Sequence, residues 1–569
     1  MKPVVSIGTQ DFKFIRKNKC FYIDKTMFIK EWWGSGDAVT LITRPRRFGK
    51  TLNMSMVEQF FSNAYANRAD LFEGLSVWEN EEYHKLQGRY PVIFLSFATI
   101  KGDSYEAVRE GIIQLLVKLY GKHDYLRNSS VMTQKDLEYF DSVKLNMTDT
   151  TATYAVYSLA DYLNRYYGEK VIILLDEYDT PLQEAYVNGY WDEMTSFVRS
   201  LFNATFKTNP YMERGLLTGI TRVSKESIFS DLNNLEVVTT TSEKYEDAFG
   251  FTEDEVIGAL KEFGLSDKLD KVKYWYDGFR FGSRKDIYNP WSITKYLDSG
   301  KFSMYWANTS SNGLIGKLIR EGSADIKVAV EDLLAGKQIV TTLDEEIVFD
   351  QLDDNETAIW SLFLASGYLK VEEVTEEEEE DDALYHLSLT NLEVKKEFRK
   401  MIRNWFKKGS TRYNDFIKAL LAGDVDYMNQ YMNQVALQTF SFFDSGKQPS
   451  EQSEPERFYH GFVLGLIVDL ADQYRITSNR ESGLGRYDVM MEPLKEDLQA
   501  IVIEFKVFNP MKEKDLQETV RNALEQIKEK GYDEDLIVRG IAKERICHYG
   551  FGFEGKTVLI GGDNPCPNR

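Results

Sequence analysis

A chain of 569 residues that is 43% hydrophobic and 14% aromatic is too long for one core and can fill several, so three or four domains are expected. The balance of 69 basic against 90 acidic residues, a net charge of −21, argues against a protein that coats nucleic acid nonspecifically, so any DNA contact must be local or helped. Three cysteines without CxxC spacing and five scattered histidines argue against disulfide and zinc scaffolds. The opening MKPVVSIGTQDF has no apolar signal core, and the best apolar run, GFVLGLIVDLA, is too short for a bilayer and carries Asp469. A cytoplasmic protein without membrane contact is expected.

The first informative element is AVTLITRPRRFGKTLNMSMVEQFF, residues 38–61. A β-branched, apolar strand leads through a polar loop into a segment with Leu52, Met56, Val57 and Phe60 at helical spacing. The loop ends like the phosphate-binding pattern GxxxxGK[ST], with Gly49, Lys50 and Thr51 in place, but Arg44 stands where the first glycine belongs. In such a loop Lys50 reaches the β/γ oxygens of a nucleotide, Thr51 ligates Mg²⁺, and Arg44, Arg46 and Arg47 add positive charge. Arg44 and Pro45 restrict the turn, so its path is expected to differ from the glycine version.

RYPVIFLSF at 89–97 reads as a second buried strand, followed by the helix SYEAVREGIIQLLVKLY. KVIILLDEYDTPL is a third strand that stops on Asp176 and Glu177, and ERGLLTGITRVS a fourth that ends near Thr221 and Arg222. Strands alternating with helices predict a parallel, doubly wound sheet. Asp176 is placed to hold the Mg²⁺ shell and Glu177 to activate water, while the Thr221 hydroxyl and the Arg222 guanidinium can sense a γ-phosphate. A helix-capping role for the two acids is the bland alternative to the ATPase reading.

FYIDKT at 21–26, RPRRFGKT, LLDEYDTPL, TGITR, WYDGFRFG at 275–282 and YNPWS at 288–292 resemble, nearly end to end, the bacterial AAA-ATPase-like proteins that carry a C-terminal PD-(D/E)XK nuclease-superfamily domain. The resemblance implies an α/β chain: a P-loop AAA-like parallel-sheet domain with helical lid, a winged-helix-like middle module, and a C-terminal α/β restriction-endonuclease-like domain. It makes Arg44 a family trait, since the arginine-and-proline loop is usual there, and it assigns YDGFRFG and YNPWS to the lid. Tyr276, Asp277 and Asn289 receive no role beyond turn chemistry. The expected boundaries are 1–250 for the ATPase core, 251–325 for the lid, 326–410 for the winged-helix-like module, 411–450 for a helical connector and 451–569 for the nuclease-like domain.

In the middle module, ETAIWSLFLASGYLKVEEV and LYHLSLTNLEVKKEFRKMIRNWF read helix, strand, strand, helix. The acidic run within residues 371–383 falls at the tip between the strands and would repel phosphate, so packing or protein contact is favoured there over DNA binding. Near the C-terminus the helix FYHGFVLGLIVDLADQY precedes SNRESGLGRYDVMMEPLKEDLQAIVIEFKVFNP, two strand-like runs joined by a polar turn. Alternation puts Glu504 and Lys506 on one side of a strand, with Asp488 opposite them on its partner. Asp488 and Glu504 would hold Mg²⁺, and Lys506 would orient water or neutralise transition-state charge. A solvated hairpin edge is the bland alternative.

The resemblance adds Glu456, and Gln526 with Tyr532, to the nuclease order; these last two stand six apart rather than four, which puts their joint role in question. From Glu451 to Arg569 there are 16 Lys and Arg against 22 Asp and Glu, a net of −6, so substrate grip must come from elsewhere.

The expected function is therefore ATP binding and hydrolysis coupled to a Mg²⁺-dependent nuclease-type domain that acts on DNA rather than RNA. ATP and Mg²⁺ are the expected cofactors, and self-association through an arginine such as Arg222 is left open. The alternative is an ATP-dependent switch or scaffold whose nuclease fold binds nucleic acid or protein without cutting.

Overall fold

A computed structural model describes the chain apart from residues 1–2, 223–227, 230–231, 307–312, 345–351, 353–354, 376–382, 406–412, 434–460, 463, 467, 483–484, 555–556 and 564–569. It divides into two compact units, Met1–Ser310 with Val340–Val394, and Ser311–Ile339 with Lys395–Arg569. Residues 326–410 contribute to both units. No helix among the described residues is long and apolar enough to cross a membrane.

The first unit is built on five parallel strands: β1 (Val39–Thr43), β2 (Val92–Ser96), β3 (Val171–Asp176), β4 (Met212–Gly219) and β5 (Leu235–Val238), in the order β2-β3-β4-β1-β5. β1 and β3 are buried along their whole length, which is why they read as apolar runs. The helices α1 (Lys50–Phe61), α2 (Tyr105–Lys122), α3 (Asp149–Tyr167), α4 (Thr180–Asn188) and α5 (Trp191–Phe206) make the crossovers between them. Because every strand runs the same way, the ends of β1, β3 and β4 open at one edge of the sheet, where ligands bind in such sheets. LEVV, which becomes β5, is too short to be recognised from pattern alone.

The lid segment is more than helical. Alongside α6 (Glu253–Glu262) and α7 (Pro290–Ser299), it folds β6 (Phe251–Thr252), β7 (Phe279–Phe281) and β8 (Arg284–Tyr288) into a small antiparallel sheet ordered β6-β8-β7. FYIDKT ties the N-terminal segment to this region. Asp24 accepts from the backbone and hydroxyl of both Thr26 and Ser76. Lys25 Nζ donates to the Asp247 carbonyl and to Glu255 in the first turn of α6, each at 2.7 Å.

The middle segment holds β9 (Ile339–Thr341), which starts at the unit boundary, then α8 (Glu356–Ala365), β10 (Leu369–Thr375) and β11 (Leu384–Leu389) in this unit, followed by α9 (Leu392–Trp405), which passes into the second unit at Lys395. Helix, antiparallel hairpin and helix thus occur in the expected order. The acidic tip, residues 376–382, lies outside the described residues.

The second unit carries a mixed sheet of β12 (Tyr474–Ser482), β13 (Gly485–Pro493), β14 (Ala500–Val507), β15 (Ile546–Glu554) and β16 (Thr557–Asp563) in sequence order. Only β14 and β15 pair in parallel. α10 (Leu516–Lys530) supplies their crossover. YRITSNRES, whose first residue reads in sequence as the end of the preceding helix, is the edge strand β12; its polar alternation is what an edge strand shows. β15 and β16 pair antiparallel, Glu554 opposite Thr557.

Candidate active sites

The loop after β1 turns into α1 through Gly49, whose φ of 85° suits a residue without Cβ. Lys50 is buried, with Nζ donating to the carbonyls of Arg44 and Pro45 at 3.0 and 3.1 Å and lying 3.3 Å from Glu177 Oε1. Thr51 Oγ1 donates to Asp176 Oδ2 at 2.9 Å. Thr218 at the end of β4 donates to the other oxygen at 2.7 Å, and Ser96 at the end of β2 reaches Oδ2 at 3.3 Å. Burial and the neighbouring Glu177 raise the Asp176 pKa, against these hydroxyl bonds and Lys50. Glu177 itself is held at φ 53°, a left-handed conformation that side chains other than glycine seldom adopt, and such strain clusters at working sites.

The four arginines take different parts. Arg44 is fully buried and turns away from the loop mouth: its guanidinium donates to the carbonyls of Thr43, Thr239, Lys244 and Tyr245 and stacks 4.5 Å from the Phe281 ring. Burial lowers its pKa to about 9, which still leaves it charged at neutral pH. Arg46 donates to Gln183 Oε1 at 3.1 Å. Arg47 is exposed and lies 4.5 Å over the Trp291 ring of the lid. Arg222 lines a cavity of ≈ 30 Å³ with Thr43, Thr239 and Asp344.

Two groups that sequence reasoning passed over complete this corner. Asp179 occupies the N-cap position of α4 but makes no capping bond. Its Oδ2 instead accepts from the backbone of Ile220 and from the backbone and hydroxyl of Thr221, all at 2.9 Å, and from Gln183 at 3.0 Å. The Thr221 hydroxyl is therefore committed to Asp179. The second is the lid, which grips the loop: Phe48 packs on Phe279 and Phe281, and the Arg46 carbonyl accepts from Asn289 Nδ2 at 3.2 Å and from Trp306 Nε1 at 3.0 Å. Asn289 also caps α7 through Oδ1. The last letter of DEYD was the one available signal for Asp179; it reads as an ordinary cap.

In the second unit, β13 pairs with β14 up to Val489 opposite Ile503, so Asp488 and Glu504 face each other one step beyond. There the Phe505 N–H donates to Asp488 Oδ2 at 2.7 Å. Gln526 on α10 donates to Glu504 Oε1 and accepts from Lys506 Nζ at 2.8 Å. It also reaches the Tyr532 hydroxyl at 3.2 Å. The six-residue spacing works because the helix stops at Lys530 and the chain reverses at Gly531, φ 63°, which brings Tyr532 back beside Gln526. α10 can come this close because Gly550 lies beside Glu504 in the sheet: a Cβ there would stand 2.8 Å from the Val520 carbonyl oxygen. Glu456 lies outside the described residues.

Burial, then the charge of Asp488, lifts the Glu504 pKa to about 8 against the pull of Lys506. Glu504 Oε2 is buried without a hydrogen-bond partner, an uncompensated acceptor of the kind a cation satisfies. Among the described residues no three His, Cys, Asp or Glu side chains are placed to hold one metal ion together. A cation here would have two carboxylates and complete its shell with water or substrate oxygen, as Mg²⁺ commonly does. The residues present fit such an ion. Cys547 on β15 is disulfide-bonded, whereas Cys20 is a free thiol.

Residues 6–229 match the family model described as predicted AAA-ATPase, and residues 454–562 match that of the PD-(D/E)XK nuclease superfamily. The chain is also 25% identical over 552 residues to an "uncharacterized protein in vnfD 5′ region" of Azotobacter chroococcum mcd 1, an alignment that covers 94% of each.

Proposed function

We propose that this chain, which joins an AAA-ATPase-like domain to a C-terminal PD-(D/E)XK nuclease-superfamily domain, binds and hydrolyses ATP at the first site and cleaves DNA in a Mg²⁺-dependent manner at the second. One recurring observation supports both halves: a carboxylate pair at a strand end with its own lysine, Asp176 and Glu177 with Lys50, and Asp488 and Glu504 with Lys506.

At the nucleotide site, the N–H groups at the start of α1 cradle phosphate, and Lys50 exchanges its carbonyl partners for the β/γ oxygens. Arg46 and Arg47 add positive charge at the loop. Glu177, freed from Lys50, is the base that orients water. Asp179 holds the Ile220–Thr221 turn in place. At the hairpin, Asp488 and Glu504 would hold the divalent ion, which supplies Lewis acidity toward a phosphodiester. Lys506, oriented by Gln526, then faces the charge that develops on the phosphate.

The test is direct. The full chain is incubated with DNA or RNA and Mg²⁺ or Mn²⁺, with phosphate release from ATP followed in parallel. Metal-dependent DNA cleavage and ATP turnover are expected; DNA binding without cleavage by any metal would favour the scaffold alternative.

A further inference from the structure

The nuclease-like domain, at net −6, has no excess positive charge with which to hold a polyanion. The most basic stretch of the chain lies upstream of it, before the connector: residues 395–412 hold eight Lys and Arg and a single acid, Glu397. Its first half is the end of α9, and Lys395 onward belongs to the same compact unit as the Asp488–Glu504 hairpin.

The helix sorts its residues by face. At about 100° per residue, Lys395, Lys396, Arg399, Lys400 and Arg403 fall within an arc of roughly 140°. Val394, Phe398, Met401 and Ile402 are buried on the other side. Both acids point inward: Glu393 accepts from Ser292 Oγ and the Trp306 N–H, and Glu397 is 5% exposed. Arg403 is anchored by Asp469 at 2.7 Å, and Lys400 stays 3.9 Å from Glu397. Lys395 and Arg399, one turn apart, form no ion pair or hydrogen bond among the described residues. Burial, and after it the charge of Arg399, lower the Lys395 pKa. Like charges at this spacing oppose helix formation, so local stability does not account for them.

We infer that the basic face of α9, with Lys395 and Arg399 at its centre, docks the phosphate backbone of a nucleic acid and supplies the grip that the nuclease-like domain lacks. Its five cations rise about 12 Å along the helix, enough to meet three or four phosphates of one strand. The contact is to the backbone and carries no sequence preference. This rests on the nuclease reading of the hairpin only for the fate of the bound strand.

The experiment uses the full chain and a fluorescent duplex DNA, with binding followed by anisotropy over a range of salt. Lys395→Ala with Arg399→Ala is compared with a charge-matched pair on exposed residues of the same unit, Lys530→Ala with Lys543→Ala. The α9 pair should weaken binding at least tenfold and flatten the slope of log K against log salt by about 2, one per lost phosphate contact, while the control pair changes neither. In cleavage it should raise KM and leave kcat. Unchanged affinity in the α9 pair, a loss with an unaltered salt slope, or no DNA binding by the wild type would each overturn the inference. So would a poly-glutamate that binds the wild type more tightly than DNA does and needs the same two residues, which would assign the face to an acidic protein. Weakened binding by the variant, without cleavage by the wild type, would uphold the docking face and reject the nuclease. Cleavage with equal KM in both would do the reverse.

Discussion

Asn289 donates through Nδ2 to the carbonyl oxygen of Arg46 at 3.2 Å, across 243 residues of sequence, so the lid holds the phosphate loop by its backbone. Asn289→Asp keeps the oxygen that caps α7 but replaces this donor with an acceptor. Melting should change little, whereas ATP affinity by calorimetry should fall about fivefold, the equivalent of one net hydrogen bond. Equal affinity would show that the grip does not shape the loop.

Lys50→Ala should abolish ATP binding. The fold should survive, because the loss is local: two carbonyls left without a donor, about 1–3 kcal/mol each, and the ion pair with the partly exposed Glu177. Glu177→Gln should bind ATP as the wild type does and hydrolyse it ~10²–10⁴-fold more slowly, measured as phosphate release. Retained affinity in the lysine variant would contradict the nucleotide site.

Asp488→Ala and Glu504→Ala should each lose divalent-ion uptake and cleavage, while Lys506→Ala keeps the ion and loses the chemistry. A carboxyl held protonated up to about pH 8 must release that proton to bind a cation. Mn²⁺ affinity should therefore rise with pH, about tenfold per unit below 8, and level off above it. The sign for stability follows from the same raised value: without metal, the contribution of Glu504 is full below its ordinary pKa and is lost as pH rises through 8. A pH-independent affinity, read by calorimetry in two buffers of different ionisation heat, would reject this assignment.

Asp277, at the start of the β7 hairpin, has its pKa raised to about 6 by burial and then by Asp286, which shares a hydrogen bond with it. Stability from this pair is present below the usual carboxylate range and declines as pH climbs through 6. Asp277→Asn cannot ionise and keeps an acceptor for the Gly278 N–H, 2.7 Å away in the wild type. The variant should melt above the wild type at pH 8 and with it at pH 4. Parallel melting curves at both values would exclude the pair as the cause.

Much of this architecture was legible along the chain. Parallel strands buried on both faces must be apolar, so β1, β3 and most of β4 announce themselves, as does the apolar edge strand β2, and the polar residues that end them fall together because the strands run the same way. Strand alternation likewise puts Glu504 and Lys506 on one side without knowledge of the partner strand.

What the sequence could not reveal were directions and partners set by packing. Arg44 has the charge of a phosphate ligand, yet carbonyls of Thr239, Lys244 and Tyr245, some 200 residues on, and the Phe281 ring draw its guanidinium inward. Asp179 looks like a cap until β4 brings Ile220 and Thr221 against it. Gln526 and Tyr532 are out of step on a helix and meet only because the chain reverses between them. The sequence by itself determined which elements form and which carboxylates end them, because burial and periodicity are local properties of a strand or helix. Only the tertiary structure decided which side chains point into each site and which are held by a neighbour, because a hydrogen bond needs its partner within about 3 Å, and that distance is set by the whole fold.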